Sequence, residues 1–447
     1  MERTVDGQTE VAGRESVSVR GCPLGSTAPY SLFEVLDQPR FVWADESAVT
    51  VAGGMAATIT ADGPDRFGSV REQVRLLFDR LETPPETPHA ARPRLFGGFA
   101  FTETHRDPGE GAPWNGYPGA WFTLPATQVT VTPSGNWLTT AAVGPGSGER
   151  AARQLDQWRD RAESASASGS RGTPGVRSKS YAPPLPEWQR EIGEATTAIR
   201  DGKLRKVVLA QALTAELERS IDPGRILSRL GDSYPDCFRF LFEPEAAGAF
   251  FGATPERLVT VHGETVETEA LAGSIGRGET TEEDEWLATQ LLESEKNNHE
   301  HDIVVDTIRE QLEPLTEAVE TDERTIRKLA NVQHLQTPIR ATLSEQRHVL
   351  DLVEALHPTP AVGGLPPELA LETIRETEVF DRGWYAAPVG WIDGDGDGSF
   401  AVAIRSALAR DRTATLFAGA GIVDDSDPDE EWDELQLKYR PILDELA

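Results

Sequence analysis

Stretches with helical spacing alternate with short strand-like stretches along this sequence, and turns containing Gly and Asp join many of the strands. These two observations predict an α+β protein, an α/β sandwich with mainly antiparallel sheets flanked by helices. Composition is the third. Hydrophobic residues are 38% and charged residues 26% of the 447 positions, which suits a chain with a large core and excludes a disordered one.

The elements follow in order. Residues 47–59, 95–102, 121–131 and 137–143 alternate like strands, and 70–81 has helical spacing. The Ser-, Gly-, Ala- and Pro-rich stretch 163–186 is too polar to pack and is expected to be a surface linker. Beyond it, 186–200 has an amphipathic helical pattern, 206–214 a strand pattern and 222–233 a helical one. Residues 237–242 and 249–251 look like paired strands, and 281–315 like one or two long helices. The tail alternates again over 387–392, 400–408 and 413–419, then closes with a helix from Asp427. No internal repeat is visible.

Charge removes several function classes. Seventy-four acidic against 43 basic residues give a formal net charge of −31, which repels phosphate backbones and anionic lipid; neither nucleic acid nor membrane is an expected partner. Such an excess suits a protein kept in solution by high salt, which screens the self-repulsion. Only six of the basic residues are lysines, so a lysine at a special position is informative. Cys22 and Cys237 are too few for a disulfide framework and lack metal-ligand spacing. The N-terminus is polar, with no apolar signal core, and no apolar run approaches the roughly 18 residues of a membrane span. A cytoplasmic protein is expected.

Several clusters could carry chemistry. Glu431, Glu434 and Lys438 share one helical face, which fits a solvated salt-bridged surface or a site. In KNNHEH (296–301), Glu300 is a candidate metal ligand, whereas His299 and His301 point nearly opposite ways and make no zinc signature; a surface helix is the alternative. In GATPER (252–257), small residues bring the backbone close and Pro255 holds Glu256 extended, as a general acid or as a loop carboxylate. Gly419 and Gly421 end a strand, where free N–H groups suit an anion and the glycines equally suit a tight turn. Asp393, Asp395 and Asp397 open like a calcium loop, but the twelfth position is Ile404 instead of a bidentate glutamate; an acidic hairpin turn is expected.

These clusters occur in an order that matches a known family. KVVLAQ (206–211), FFGATPERL (250–258), TEALAGS (268–274), ESEKNNHEHDIVVD (293–306), LANVQHLQTPI (329–339), LHPTPAVGG (356–364), FDRGWYAAPVGW (380–391), FAVAIRSAL (400–408), LFAGAGIV (416–423) and SDPDEEWDELQLK (426–438) resemble the chorismate-utilising enzymes. Within them the chain is similar to isochorismate synthases of the menaquinone or siderophore type. The resemblance covers nearly all of 204–441; residues 1–185 match weakly, mainly at LFGGFAF (95–101). It implies one chorismate-binding domain over 1–447 with two large, roughly orthogonal antiparallel sheets, 187–447 being the catalytic part. The 163–186 stretch would then be a surface excursion within that domain.

The family reaction adds water at C2 of chorismate and expels the C4 hydroxyl, and so needs a base, an acid and cations for two carboxylates. By the resemblance, Lys206 is the base, which must be neutral to act, and Glu256 is the acid, protonated near neutrality. Glu300 and Glu434 are the implied Mg²⁺ ligands, with Glu431 holding a water on the ion. Arg405 would grip the enolpyruvyl carboxylate with Tyr385 and the N–H groups of Gly419 and Gly421, while Gly273 and Ser274 meet the ring carboxylate. His357 would orient substrate, and Lys438 would do so or pair with Glu434.

Two positions bear on the product. Ala272 stands where aminodeoxychorismate synthases carry a nucleophilic lysine, so that covalent route is closed; Glu269-Ala270-Leu271 departs from the anthranilate synthase pattern, which works with a glutamine-hydrolysing partner. Ala361 stands where salicylate synthases tend to carry threonine, which favours stopping at isochorismate, and no obligatory protein partner is expected beside it. A bifunctional salicylate synthase and a chorismate-binding subunit needing a partner are the alternatives. Gln211, Asn297, Asn298 and Ser274 depart from the family pattern, and charge lost near Glu300 bears on metal affinity.

Overall fold

The computed structural model describes residues 16–82, 87–103, 113–164 and 172–447. Their strands form two large sheets, one of thirteen and one of ten strands, with helices packed around them. Pairing is antiparallel except between Val17–Leu24 and the two-residue strand Leu81–Glu82. The expected class and architecture are therefore present. Both sheets draw strands from both halves of the chain: Arg40–Ala44 pairs with Phe238–Glu243 in the larger, and Leu95–Phe99 with Pro388–Ile392 in the smaller.

The core lies between the sheets. Phe41 of the larger sheet stacks on Phe96 of the smaller at 6.0 Å between ring centroids and meets Trp121 at 5.3 Å. Each of these rings removes a large apolar area from water, and offset or tilted pairs add to that gain.

Four short connections carry the chain directly from one sheet to the other. They lie between Gly53 and Ala57, Leu124 and Thr127, Thr254 and Arg257, and Val402 and Ser406. Three of the continuous strands expected from the sequence (47–59, 121–131 and 400–408) are thus each two strands in different sheets. Local features explain the breaks. Gly54 and Arg405 have left-handed φ values of 68° and 52°, and Pro125 and Pro255 cannot donate to a ladder. Hydrophobic alternation continues across such a break because both flanking strands face the same core.

The expected linker is also largely ordered structure. Helix Ser147–Ser164 runs into the 163–186 stretch, and Val176–Ala182 is an edge strand beside Lys206–Leu217; residues 165–171 lie outside the described ones. An edge strand needs ladder hydrogen bonds on one side only, so an exposed, polar sequence can occupy it. The helix itself went unrecognised, although Ala151, Leu155, Trp158 and Ala162 bury one face at helical spacing.

Capping agrees with the sequence. Asp222, Thr280, Ser294 and Asp427 each accept a backbone N–H at the start of a helix. Ser294, extended at ψ 110°, divides the long 281–315 pattern into Thr281–Glu293 and Glu295–Leu312. The Asp393–Asp397 segment is the expected acidic turn, in which Asp393 accepts the N–H groups of Asp395 and Asp397.

Candidate active site

Two of the four sheet crossings converge on one cavity of about 490 Å³. The Thr254–Arg257 crossing supplies Glu256, and the Val402–Ser406 crossing supplies Arg405. The strand Lys206–Leu217 adds Lys206, the bulge after Ala272 adds Gly273 and Ser274, and Thr413–Ile422 adds Gly419 and Gly421. Helix Glu295–Leu312 brings Glu300, helix Pro428–Leu446 brings Glu431, Glu434 and Lys438, and Ala361 and Tyr385 also line the cavity.

Lys206 is buried, and its Nζ donates to Glu300 Oε1 at 2.6 Å. Gly421 makes that pair possible. A Cβ at Gly421 would lie 3.1 Å from Lys206 Cε and 3.4 Å from Glu300 Oε1. Gly419, two residues back on the same strand face, would crowd the Tyr385 hydroxyl, and its carbonyl accepts from Lys438 Nζ at 2.7 Å. The glycines therefore lie in the last four residues of the strand, as expected, and not in a turn, and their small size leaves room for the cavity.

Glu256 is held by its own crossing: its N–H donates to Thr254 Oγ1 at 3.2 Å and its carbonyl accepts from Val402 N at 3.0 Å. Burial, reinforced by the Glu269 carboxylate, pushes its carboxyl up to about 8 against the pull of Lys206, the Thr359 hydroxyl and Arg405. At neutral pH it holds its proton. Arg405 is also buried, and burial pulls its guanidinium down, yet it has no hydrogen-bond or ion-pair partner among the described residues. A buried guanidinium that lines a cavity without a protein hydrogen-bond partner suits an anionic ligand.

The helix-borne carboxylates interact with one another. Burial and the neighbouring Glu434 push Glu431 up to about 7. Burial opposes the ionisation of Glu434, but Lys438 at 3.0 Å and the Ser274 hydroxyl at 2.5 Å outweigh it and hold this carboxyl well below the usual range. Glu434 stays charged, and Glu431 is the member of the pair that binds a proton as pH falls through about 7. No three His, Cys, Asp or Glu side chains among the described residues already converge where an ion would sit.

His357 is not brought to the cavity. Its Nε2 bonds the Phe101 carbonyl at 3.0 Å and its ring packs against Phe101 and Phe67. Burial there pulls it down to about 3, so the ring is neutral. The HPTPA segment reaches the site instead through Ala361 and through Thr359, whose hydroxyl donates to Glu256 Oε1 at 3.4 Å. Sequence reasoning also passed over His334, Lys296 and Arg382 in the lining. The Nε2 of His334 is buried without a partner among the described residues, and burial holds that ring neutral, down to about 3. Lysine scarcity was the available signal: Lys206, Lys296 and Lys438, three of the chain's six lysines, line this one cavity.

A sequence model of the family "chorismate binding enzyme" matches residues 13–447. The isochorismate synthase MenF of Bacillus subtilis is 39% identical over 420 residues, covering 91% of this chain and 88% of that protein. The salicylate biosynthesis isochorismate synthase of Pseudomonas aeruginosa is 36% identical over 455 residues, covering 100% and 93%. Among solved structures, MenF, the menaquinone-specific isochorismate synthase from Escherichia coli, matches the fold with a TM-score of 0.82 at 24% identity, covering 97% of this chain and 96% of that one. Anthranilate synthase component I from Streptococcus pneumoniae matches with a TM-score of 0.71 at 20% identity, covering 98% and 93%.

Proposed function

This chain belongs to the chorismate binding enzymes, and on that premise we propose that it is an isochorismate synthase acting as one domain. The observation that carries the site assignment is the arrangement around a single cavity of a buried amine, a protonated buried carboxyl and an unpaired buried guanidinium: Lys206, Glu256 and Arg405. Arg405 takes a substrate carboxylate through its planar fork, beside Tyr385. Lys206 must first give up its ion pair with Glu300; as the neutral amine it then removes a proton from the water that attacks C2, and Glu256 gives its proton to the hydroxyl leaving C4. One water enters and one leaves, and the proton gained at Lys206 balances the one lost from Glu256.

The carboxylate set supports a divalent cation. Glu300, Glu431 and Glu434 line the same cavity, and positive charge placed among them would offset the burial and the Glu434 repulsion that push Glu431 up to about 7. Glu300 and Glu434 would hold Mg²⁺ directly, with Glu431 behind them. Bound there, Mg²⁺ supplies charge that neutralises a substrate carboxylate. Lys438 and Ser274 keep Glu434 ionised for that role.

Alanine at 272 and 361 supports release of isochorismate as the product; we assign that product to menaquinone before a siderophore, made by a chain working without a partner subunit. No helix among the described residues is long and apolar enough to cross a membrane, and the charge of −31 supports work in a salty cytoplasm. The test is incubation of the pure protein with chorismate and Mg²⁺, without ammonia. Isochorismate is expected; product formation that ignores chelation of the metal, or no product, overturns the reading. Salicylate with pyruvate in the same vessel promotes the bifunctional alternative.

A further inference from the structure

His301 follows Glu300 in the sequence but points the other way, into the protein, where it is fully buried. We propose that His301 is a positioning residue that sets the separation between Glu300 and Glu434 across the cavity; this rests on the reading that those two carboxylates hold the divalent ion. Its Nδ1 lies 3.2 Å from the Ala272 carbonyl and its Nε2 lies 2.8 Å from Thr337 Oγ1. A carbonyl only accepts, so Nδ1 carries the hydrogen and Nε2 accepts from the Thr337 hydroxyl. Ala272 and Thr337 lie on neighbouring strands, Thr265–Gly276 and Val332–Leu343. One imidazole therefore pins helix Glu295–Leu312 to two strands at once.

The position of that clamp gives it a consequence for the site. The register of the Thr265–Gly276 strand shifts immediately after Ala272, at Gly273, whose φ is 75°. Ser274, the next residue, donates to Glu434 Oε1 at 2.5 Å. Contacts thus run from Glu300 through its neighbour His301 to Ala272, past the bulge to Ser274, and on to Glu434. The helix sits close against the bulge: a Cβ at Gly273 would lie 3.1 Å from Asn297 Oδ1. Loss of the imidazole frees the helix to rotate and the bulge to relax, and both carboxylates move with them.

The experiment is a calorimetric Mg²⁺ titration of the whole enzyme and of His301→Ala, His301→Asn and Thr337→Val, with melting of each variant followed in parallel. His301→Ala is expected to weaken Mg²⁺ binding about 10–100-fold, the range for losing a group that orients metal ligands. His301→Asn keeps an amide donor for the Ala272 carbonyl and should recover part of that loss, and Thr337→Val should lose less than His301→Ala. A role in stability alone lowers the melting temperature and leaves the affinity of the folded protein unchanged; that outcome overturns the proposal. Where His301→Ala does not fold, unchanged affinity in both milder variants overturns it equally. Failure of the unmodified enzyme to take up Mg²⁺ overturns the metal reading and this inference together.

Discussion

The cavity has two kinds of wall. Glu256 and Arg405 sit where the backbone passes between sheets, and each is almost fully buried, at 6% and 5% exposure. Glu300 and Glu434 project from helices, with side chains 18% and 29% exposed, and each is already paired with a lysine. Burial tunes the first wall, by raising the Glu256 carboxyl and withholding a partner from Arg405. Neighbouring charge tunes the second, where Lys438 and Ser274 hold Glu434 ionised against burial, and burial together with that charge pushes Glu431 up. The sheet crossings thus supply fixed proton chemistry, and the helices supply carboxylates whose partners can be exchanged.

The most severe test of this division is removal of the buried amine. Lys206→Ala should lower turnover about 10⁴-fold, the upper end for a missing general base, while chorismate binding measured by calorimetry persists. Near-normal turnover would break the assignment. Glu256→Gln should cost about 10³-fold. In the parent enzyme the rate should decline as pH rises through about 8, because the acid must be protonated.

Stability sharpens the same point. The folded carboxyl at about 8 stands above the ordinary 4.5, so between those values the folded state holds a proton the unfolded chain has released. Stability from this group should fall as pH rises across that window, and Glu256→Gln should remove its share of the slope in urea midpoints, leaving the share of Glu431.

The helical wall should respond more gently. Glu434→Gln should weaken Mg²⁺ binding about 10–100-fold in a direct titration, with the melting temperature little changed. Smaller still is Gly421→Ala, whose new methyl presses on Lys206 and Glu300; about a tenfold loss of kcat with KM nearly constant is expected. The slightest effect belongs to the exposed Lys296–Asp425 pair at 2.9 Å, where Asp425→Asn should change KM about twofold at low salt and less at high salt.

Much of this was legible beforehand, for definite reasons. Helix starts at Asp222 and Asp427 were legible because capping is local chemistry, and the shared face of Glu431, Glu434 and Lys438 because helical spacing is. The breaks at Pro125 and Arg405 were not, since one core faces both sheets and hydrophobic alternation runs through the crossing. His357 and Thr359 show the limit at a single motif. Two residues apart in one segment, they end on different sides of it, the histidine among aromatic rings and the threonine at Glu256.

Taken alone, the sequence determined the fold class, the family-like order of motifs and most of the charged side chains that reach the cavity. The fold class follows from periodicity and turn chemistry, which act over a few residues; the site residues follow from the order of the motifs and their resemblance to a known family. Only the tertiary structure decided which carboxyl keeps its proton, that Arg405 stands unpaired, and that His301 joins helix to bulge. Each of those depends on desolvation and on contacts between residues far apart in the chain, which have no counterpart in local sequence spacing.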